Sequence, residues 1–160
     1  MIEVIPCNDW MFSKDNEPYR SVSLPHSVFT EPEVINRPQS GRAQYRTVFF
    51  VPHEWKSKVV YFQIGAAMQK AAVYINGIYR FTHFGGYQMF FVPLTDHLQY
   101  GTDNTLDIVL DNTASCDMPP GKPVSELDFC YHSGLYRDAR LIVWEPVHIT
   151  DPLAVSITAG

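Results

Sequence analysis

The chain has 160 residues, of which 46% are hydrophobic, and its 12 basic and 17 acidic residues give a formal net charge of -5. This length fits one domain, which buries about 70% of the surface that its unfolded chain exposes. The acidic balance and the lack of a lysine or arginine cluster exclude a nucleic-acid partner. No apolar run approaches the length of about 20 residues that spans a bilayer, so a membrane partner is excluded as well.

The cysteines and the first residues set further bounds. Cys7, Cys116 and Cys130 form an odd number without C-x-x-C spacing, so we expect idle thiols rather than a zinc site or a complete disulfide framework. Met1 leads into Ile2 without the charged and then apolar pattern of a signal peptide. The sequence therefore fits a cytoplasmic protein, or a periplasmic or secreted one whose leader was removed.

Residues 1–44 predict an extended arm with one or two short strands, because prolines interrupt any long helix there. Trp10 and Phe12 alternate with Met11, so we expect the first two to pack onto the sheet. The arm is therefore predicted to be an accessory to strands that come later.

The strand signal strengthens after the arm. Residues 45–51 alternate between two faces and predict a strand. Residues 59–64 are apolar on both faces, which predicts a central strand with one face on the opposite sheet and the other covered by the arm. Asn76-Gly77 predicts a hairpin between 71–75 and 78–81, since a type I′ turn needs positive φ at both central residues. Further strands are predicted at 89–92, 105–111 and 139–144, and a single helical turn at 94–98.

Short strands separated by turn residues, without any stretch of convincing 3.6-residue periodicity, predict an antiparallel β-sandwich or jelly roll. We find no internal repeat. A strand-like fragment begins shortly before Gly160, so the segment is expected to be cut from a longer chain.

The stretch from Asp128 to Asp138 gathers carboxylates, a histidine, aromatic rings and an arginine around Gly134. Binding groups concentrate in loops that a rigid sheet carries, which makes this stretch the leading candidate for a site. On the residues alone, Asp128 is more simply a turn residue that closes a proline-rich loop. Arg137 and Asp138 are expected to be structural and to hold the loop by charge-assisted hydrogen bonds.

Several short motifs occur in an order that resembles one known family. They are Leu24-Pro25-His26-Ser27, Tyr45-Arg46 opening a strand that ends Val51-Pro52, Gly65-Ala66, Ala72-Val73-Tyr74-Ile75-Asn76-Gly77, His83-Phe84-Gly85-Gly86-Tyr87, Leu94-Thr95, Gly101-Thr102-Asp103-Asn104-Thr105-Leu106, Asp111-Asn112 and Ser133-Gly134-Leu135-Tyr136-Arg137-Asp138. From about Trp10 to Asp151 the chain resembles the N-terminal sugar-binding domain of glycoside hydrolase family 2, the family of β-galactosidases, β-glucuronidases and β-mannosidases. The residues leading into Asp128 are most similar to the β-galactosidase branch.

The resemblance implies an all-β fold, an antiparallel jelly-roll β-sandwich of the galactose-binding type, over residues 1–145. Residues 146–160 would be a linker and the start of an immunoglobulin-like domain, followed by a TIM barrel with both catalytic glutamates. The parent enzyme would hydrolyse terminal β-D-galactosides with retention and would be a homo-oligomer. This segment would hold no catalytic residue, metal or cofactor, and whether the parent holds Mg²⁺ or Na⁺ is left open.

The resemblance also implies two contacts to a carbohydrate. An aspartate shortly before the Ser-Gly-aromatic-Arg-Asp run contacts the sugar in such β-galactosidases, and here that position is Asp128. A carboxylate suits this role because it accepts strong hydrogen bonds from hydroxyl groups. His26, in the Leu-Pro-His-Ser loop, is the second candidate. Better-known members follow the aspartate with Met-Trp, whereas this chain has Phe129 and Cys130, which leaves the shape of the aglycone side undetermined.

Other residues that resemble catalytic groups have simpler explanations. Retaining glycosidases need two carboxyl groups about 5 to 5.5 Å apart, and no convincing pair is evident. Asn16-Glu17-Pro18 copies a barrel acid/base motif but follows no apolar strand and predicts a solvated turn. His83 and His132 are expected to be packed or loop histidines. A triad of Ser133, His132 and Asp128 lacks a nucleophile elbow, and no metal-ligand spacing occurs.

Three alternatives stay open at this point. One is a free-standing carbohydrate-binding module, with Trp55, Tyr87 and Tyr131 as candidates for stacking on sugars. Another is an interaction module that braces a barrel or a subunit interface without touching sugar. The third is the β-glucuronidase or β-mannosidase branch of the same family.

Overall fold

The structure is a computed structural model that describes residues 3–28, 41–113, 117–119, 121, 126 and 133–148. The strands are β1 Glu3–Pro6, β2 Asp9–Lys14, β3 Arg20–Ser23, β4 Arg42–Val51, β5 Val59–Ile64, β6 Lys70–Ile75, β7 Ile78–Phe84, β8 Phe90–Pro93, β9 Thr102–Asp111 and β10 Ala139–Trp144. Two short 3₁₀ helices, His53–Ser57 and Thr95–His97, join them, and the second lies in the helical turn predicted at 94–98. Within these ranges, no helix is long and apolar enough to cross a membrane.

The strands form two antiparallel sheets. One has the order β1-β10-β5-β8, and the other has the order β3-β2-β4-β9-β6-β7. Apolar side chains fill the space between the sheets, because every second residue of a strand faces the same side. The predicted all-β, antiparallel sandwich is therefore confirmed.

Strand β4 illustrates how the sequence sets these faces. Tyr45, Thr47 and Val51 are buried against the opposite sheet, whereas Arg46 and Phe50 of the same strand are exposed. The strand pairs along its whole length with β9, whose inward residues are Asn104 and three aliphatic residues, Leu106, Ile108 and Leu110. Both strands contain the residues predicted for them and begin three residues earlier.

The N-terminal arm lies differently from the prediction. It forms three strands, and β2 joins β4 inside the six-stranded sheet with Trp10 and Phe12 buried in the core. The described residues of the arm add strands to the sheets instead of crossing the outward face of β5, where the Tyr61 ring contacts the rings of Phe91 and Trp144, with centroids 6.1 and 5.3 Å away. Adding strands to open sheet edges satisfies the arm's backbone hydrogen bonds, which lying across a sheet would leave unpaired.

The arm changes sheets between β1 and β2. β1 pairs with β10, β2 pairs with β4, and only Cys7 and Asn8 lie between them. The Cys7 amide donates to the carbonyl of Ala139 (2.9 Å), and its carbonyl accepts from the Trp10 indole (2.9 Å). Burial raises the pKa of the Cys7 thiol, which agrees with an idle thiol, while Cys116 and Cys130 lie outside the described residues.

The predicted hairpin is confirmed at the Asn76-Gly77 turn, where φ is 51° and 76°. The Asn76 side chain accepts from the backbone of Thr105 (2.9 Å) and donates to the buried Asn104 side chain (2.9 Å), which ties the turn to β9. β7 runs on to Phe84, beyond the predicted end at residue 81, because its pairing with β6 continues through a bulge. Residues 149–160 lie outside the described ranges, so the predicted domain boundary after residue 145 stays a prediction.

Candidate functional site

The two segments that the sequence singled out lie side by side. The His26 amide donates to the carbonyl of Leu135 (2.8 Å), and the Val28 amide donates to the carbonyl of Ser133 (3.1 Å). These bonds join the Leu-Pro-His-Ser motif to the Ser-Gly-Leu motif through the backbone alone. We call the paired residues 26–28 and 133–135 the clamp.

Tyr45 holds the clamp from within the core. Its side chain on β4 is fully buried, and its hydroxyl lies 2.7 Å from Nδ1 of His26. The backbone amide of Leu135 bonds the same hydroxyl. The Phe12 ring packs against both partners, with centroids 4.7 Å from His26 and 5.0 Å from Tyr45. One hydroxyl group therefore connects both halves of the clamp to the core.

Burial favours the uncharged forms of His26 and Tyr45. It is the main cause that lowers the pKa of His26, with a smaller effect from the Arg20 charge, and it raises the pKa of Tyr45. The Tyr45 hydroxyl engages Nδ1 of His26, which leaves Nε2 as the ring nitrogen for any other partner. That atom is buried and has no hydrogen-bond partner in the part of the chain that the structure describes.

Gly134 is the point of closest approach in the clamp. Its φ is +100°, and a Cβ atom there would lie 2.6 Å from the Tyr45 hydroxyl and 2.8 Å from the carbonyl of His26. Its own carbonyl accepts from the amide of Met68 (3.1 Å), which adds a third segment. Glycine is required here both for the backbone conformation and for the space.

The Ser133 hydroxyl offers no support for nucleophilic chemistry. It is buried without a hydrogen-bond partner among the described residues. With Val28, Met68 and Asn112 it lines a cavity of about 10 Å³, which has room for about one water molecule. Over the same described ranges, no group of three or more His, Cys, Asp or Glu residues could hold a metal ion.

Of the two residues predicted to contact sugar, the structure describes His26 and does not describe Asp128. Asp128 lies outside the described residues, as do Tyr131 and His132, so its role stays a prediction. His26 is described, but its Nδ1 is engaged with Tyr45, and only the buried Nε2 remains for another group. This position favours a role in holding the clamp, and direct contact with sugar stays a prediction.

Other predicted residues can be located. His83 is packed as expected, with its ring stacked 4.0 Å from the Phe90 ring. Trp55 lies in the core with 7% exposure, so its proposed stacking on sugar is wrong, whereas Tyr87 is exposed. Asn16, in the Asn-Glu-Pro sequence, sits in an exposed turn with φ of 66°, as predicted.

The expected charge-assisted hydrogen bonds of Arg137 and Asp138 are not formed. Both side chains are exposed, and neither has a hydrogen bond or ion pair with a described residue. The backbone carbonyl of Asp138 accepts from Gly65 instead (2.9 Å). The loop is held by its backbone and by Tyr45, whose sequence signals were the Tyr45-Arg46 motif and an aromatic hydroxyl on an inward strand face.

We expect the chain to lose stability as the pH falls below about 6.5. Burial is the main cause that lowers the pKa values of His26 and His83 below the ordinary 6.5. Below that pH the unfolded chain binds more protons than the folded chain, so the free energy of unfolding decreases from pH 6.5 down to the folded pKa values. Urea unfolding at about pH 7.5 and about pH 5.5 measures the decrease. His83→Phe keeps a ring against Phe90 and should reduce it; an unchanged slope would contradict the assignment.

The known proteins that this chain resembles are named β-galactosidase or β-glucuronidase. No family model matches the chain. A β-galactosidase of Thermoanaerobacter pseudethanolicus is 30% identical over 145 residues, which cover 89% of this chain and 19% of that enzyme. A solved structure of a putative β-galactosidase from Bacteroides fragilis has a TM-score of 0.81 and 27% identity, covering 90% of this chain and 23% of the other. This similarity is consistent with an N-terminal domain of glycoside hydrolase family 2.

The similarity agrees with the antiparallel β-sandwich and with the order of the motifs. The β-D-glucuronidase of Dictyoglomus thermophilum also matches this chain, with a TM-score of 0.79 and 27% identity over 94% of this chain and 29% of that one. The domain spans about a fifth of the length of the curated relatives it matches. Relatives named β-galactosidase and relatives named β-glucuronidase both match, so the similarity alone does not distinguish these two kinds of enzyme.

Proposed function

We propose that this chain is the first domain of a longer β-galactosidase, in which it completes the sugar pocket. The glutamates that break the glycosidic bond would lie in a following TIM barrel, and terminal β-D-galactosides would be hydrolysed with retention. The proposal is supported by the relatives named β-galactosidase and by the small part of each relative that this chain spans.

The clamp is the observation that carries the proposal. It joins the segment with His26 to residues 133–135, which follow Asp128 by a few residues in the sequence, and this supports a common site for the two sequences predicted to contact sugar. A site needs its binding groups held within about 0.5 Å of the productive geometry, and packing supplies that support. The buried Tyr45 hydroxyl and the obligatory Gly134 provide it here.

The first experiment compares the 160-residue chain with the full-length protein. We expect the chain alone to leave a chromogenic β-galactoside intact, because its sequence has no convincing pair of catalytic carboxyl groups. The full-length protein should hydrolyse the same substrate. Hydrolysis by the chain alone would overturn the proposal.

The second experiment tests Asp128 in the full-length enzyme. Asp128→Asn should lower kcat/KM about tenfold or more, because an amide loses the charge that strengthens a hydrogen bond from a sugar hydroxyl. Asp103→Asn is the matched control, since Asp103 is exposed on β9 in the six-stranded sheet. Equal activity of the two variants would remove Asp128 from the site and leave the fold unaffected.

A β-glucuronidase is the second candidate. A curated β-glucuronidase of Bacteroides fragilis is 26% identical over 92% of this chain. Paired kinetics of the full-length protein on aryl β-galactoside and aryl β-glucuronide discriminate the two. A higher kcat/KM on the glucuronide would assign that branch.

A further inference from the structure

An open cleft of about 450 Å³ lies beside the clamp, on the outward side of the four-stranded sheet. Gln63 and Arg140 face it from the paired strands β5 and β10, where they are direct cross-strand neighbours. Pro25 and Tyr136 form its wall next to the clamp. The volume is within the range of small-molecule sites, about 300–1,000 Å³, and suits one or two sugar rings.

The floor of the cleft has a fixed shape. A Cβ atom on Gly65 would lie 2.8 Å from Cβ of Arg137 and 2.8 Å from the carbonyl of Asp138, so the two backbones touch. The Gly65 amide also donates to that carbonyl (2.9 Å). On the wall, the Tyr136 hydroxyl donates to the carbonyl of Gly86 (2.6 Å), which holds the aromatic ring in place.

The charge of the cleft is opposite to that of the chain. Arg137 and Arg140 both line it, are exposed, and form no ion pair with any described residue. In contrast, Arg42 and Arg46 on the other sheet are both paired with aspartates. Two guanidinium groups without an ion pair in the described part of the chain, against the one carboxylate of Asp138, give the cleft a positive balance in a chain of net charge -5 and favour an anion.

The other side chains that line the cleft can bind the hydroxyl groups of a sugar. The Asp138 carboxylate can accept hydrogen bonds, and the Gln63 amide can donate and accept them. The ring of Tyr136, whose centroid lies 5.7 Å from the Arg137 guanidinium, places an aromatic surface of the kind on which sugar rings pack next to that charge. A simple anion would use only the guanidinium groups, whereas a sugar that carries an anionic group would use all of these residues.

We propose that this cleft binds an acidic sugar, whose carboxylate or sulfate group pairs with Arg137 and Arg140. Guanidinium groups recognise both groups by charge-assisted, bidentate hydrogen bonds. That the ligand is a saccharide rests on the proposed function, while the anionic preference rests on the cleft alone.

The test is a titration of the 160-residue chain, followed by NMR or calorimetry, with galacturonate, galactose 6-sulfate, neutral galactose and acetate. We expect saturable binding of one or both acidic sugars and at least tenfold weaker binding of galactose and acetate. If only galacturonate binds, the arginines recognise a carboxylate. If only galactose 6-sulfate binds, they recognise a sulfate ester. Arg140→Gln and Arg137→Gln should each weaken binding about tenfold, the effect of losing one charge-assisted contact. Arg42→Gln makes the same change on the other sheet and should leave affinity unchanged.

Other outcomes would overturn the proposal. Equal affinity for galactose and galacturonate would show that the arginines do not select an anion. Acetate binding as tightly as galacturonate would mean that the sugar ring makes no contact. Because the readout is binding rather than hydrolysis, these results are independent of whether the full-length protein is a β-galactosidase.

Discussion

Gly134→Ala is expected to lower the free energy of unfolding by about 4 kcal/mol, the sum of backbone strain at positive φ and of overpacking against fixed neighbours. The new methyl group would meet the Tyr45 hydroxyl at 2.6 Å and the His26 carbonyl at 2.8 Å. Neither partner can retreat, because Tyr45 is buried in the core and the His26 carbonyl belongs to the clamp. Urea unfolding of the 160-residue chain measures the loss.

Gly77→Ala separates the two causes. Gly77 also has positive φ, +76°, but a Cβ atom there would meet nothing within 4 Å. Gly77→Ala should therefore lower the free energy of unfolding by about 1 kcal/mol, from backbone strain alone. Equal losses in the two variants would show that the space around Gly134 is not restricted and that the clamp is looser than its geometry indicates.

Tyr45→Phe is expected to lower the free energy of unfolding by about 3 kcal/mol. The substitution keeps the ring but leaves Nδ1 of His26 and the amide of Leu135 without their common partner, and a buried unsatisfied group costs about 1–3 kcal/mol. Hydrogen exchange at the Leu135 amide should also become faster, because the clamp opens more often.

Tyr19→Phe is the control for Tyr45→Phe. Its hydroxyl bonds the Gln44 side chain (2.9 Å) at an exposed position, where water replaces the lost partner. We expect a change below about 0.5 kcal/mol. If Tyr45→Phe is as mild as this control, the hydroxyl does not support the clamp.

The sequence predicted those elements whose signal is local. The alternation in β4, the aliphatic face of β9 and the Asn76-Gly77 turn each depend on a few neighbouring residues, and each was found where expected. Strand β10 begins and ends at the predicted residues 139 and 144. A pattern of this kind is sufficient when burial of one face decides the register.

The site was less predictable because its geometry depends on partners distant in sequence. Pro25 faces the cleft and His26 faces the core, and nothing in the motif reveals which neighbour turns inward. Arg137 was expected to brace the loop, yet backbone bonds between distant segments perform that task. The arm was expected to cover β5, whereas open sheet edges offered it hydrogen bonds.

The crossing of the arm between sheets has a mechanical consequence. Because residues 7 and 8 link a strand of one layer to a strand of the other, the layers cannot slide apart without stretching this short connection. It is pinned on both sides, by the Cys7 amide on Ala139 and by the Asn8 carbonyl, which accepts from Leu24 (2.8 Å). A pull on the front of the chain would therefore load β1 and β2 together, whereas a protease cut at this point would leave the layers joined only by the later connections, such as the one between β4 and β5.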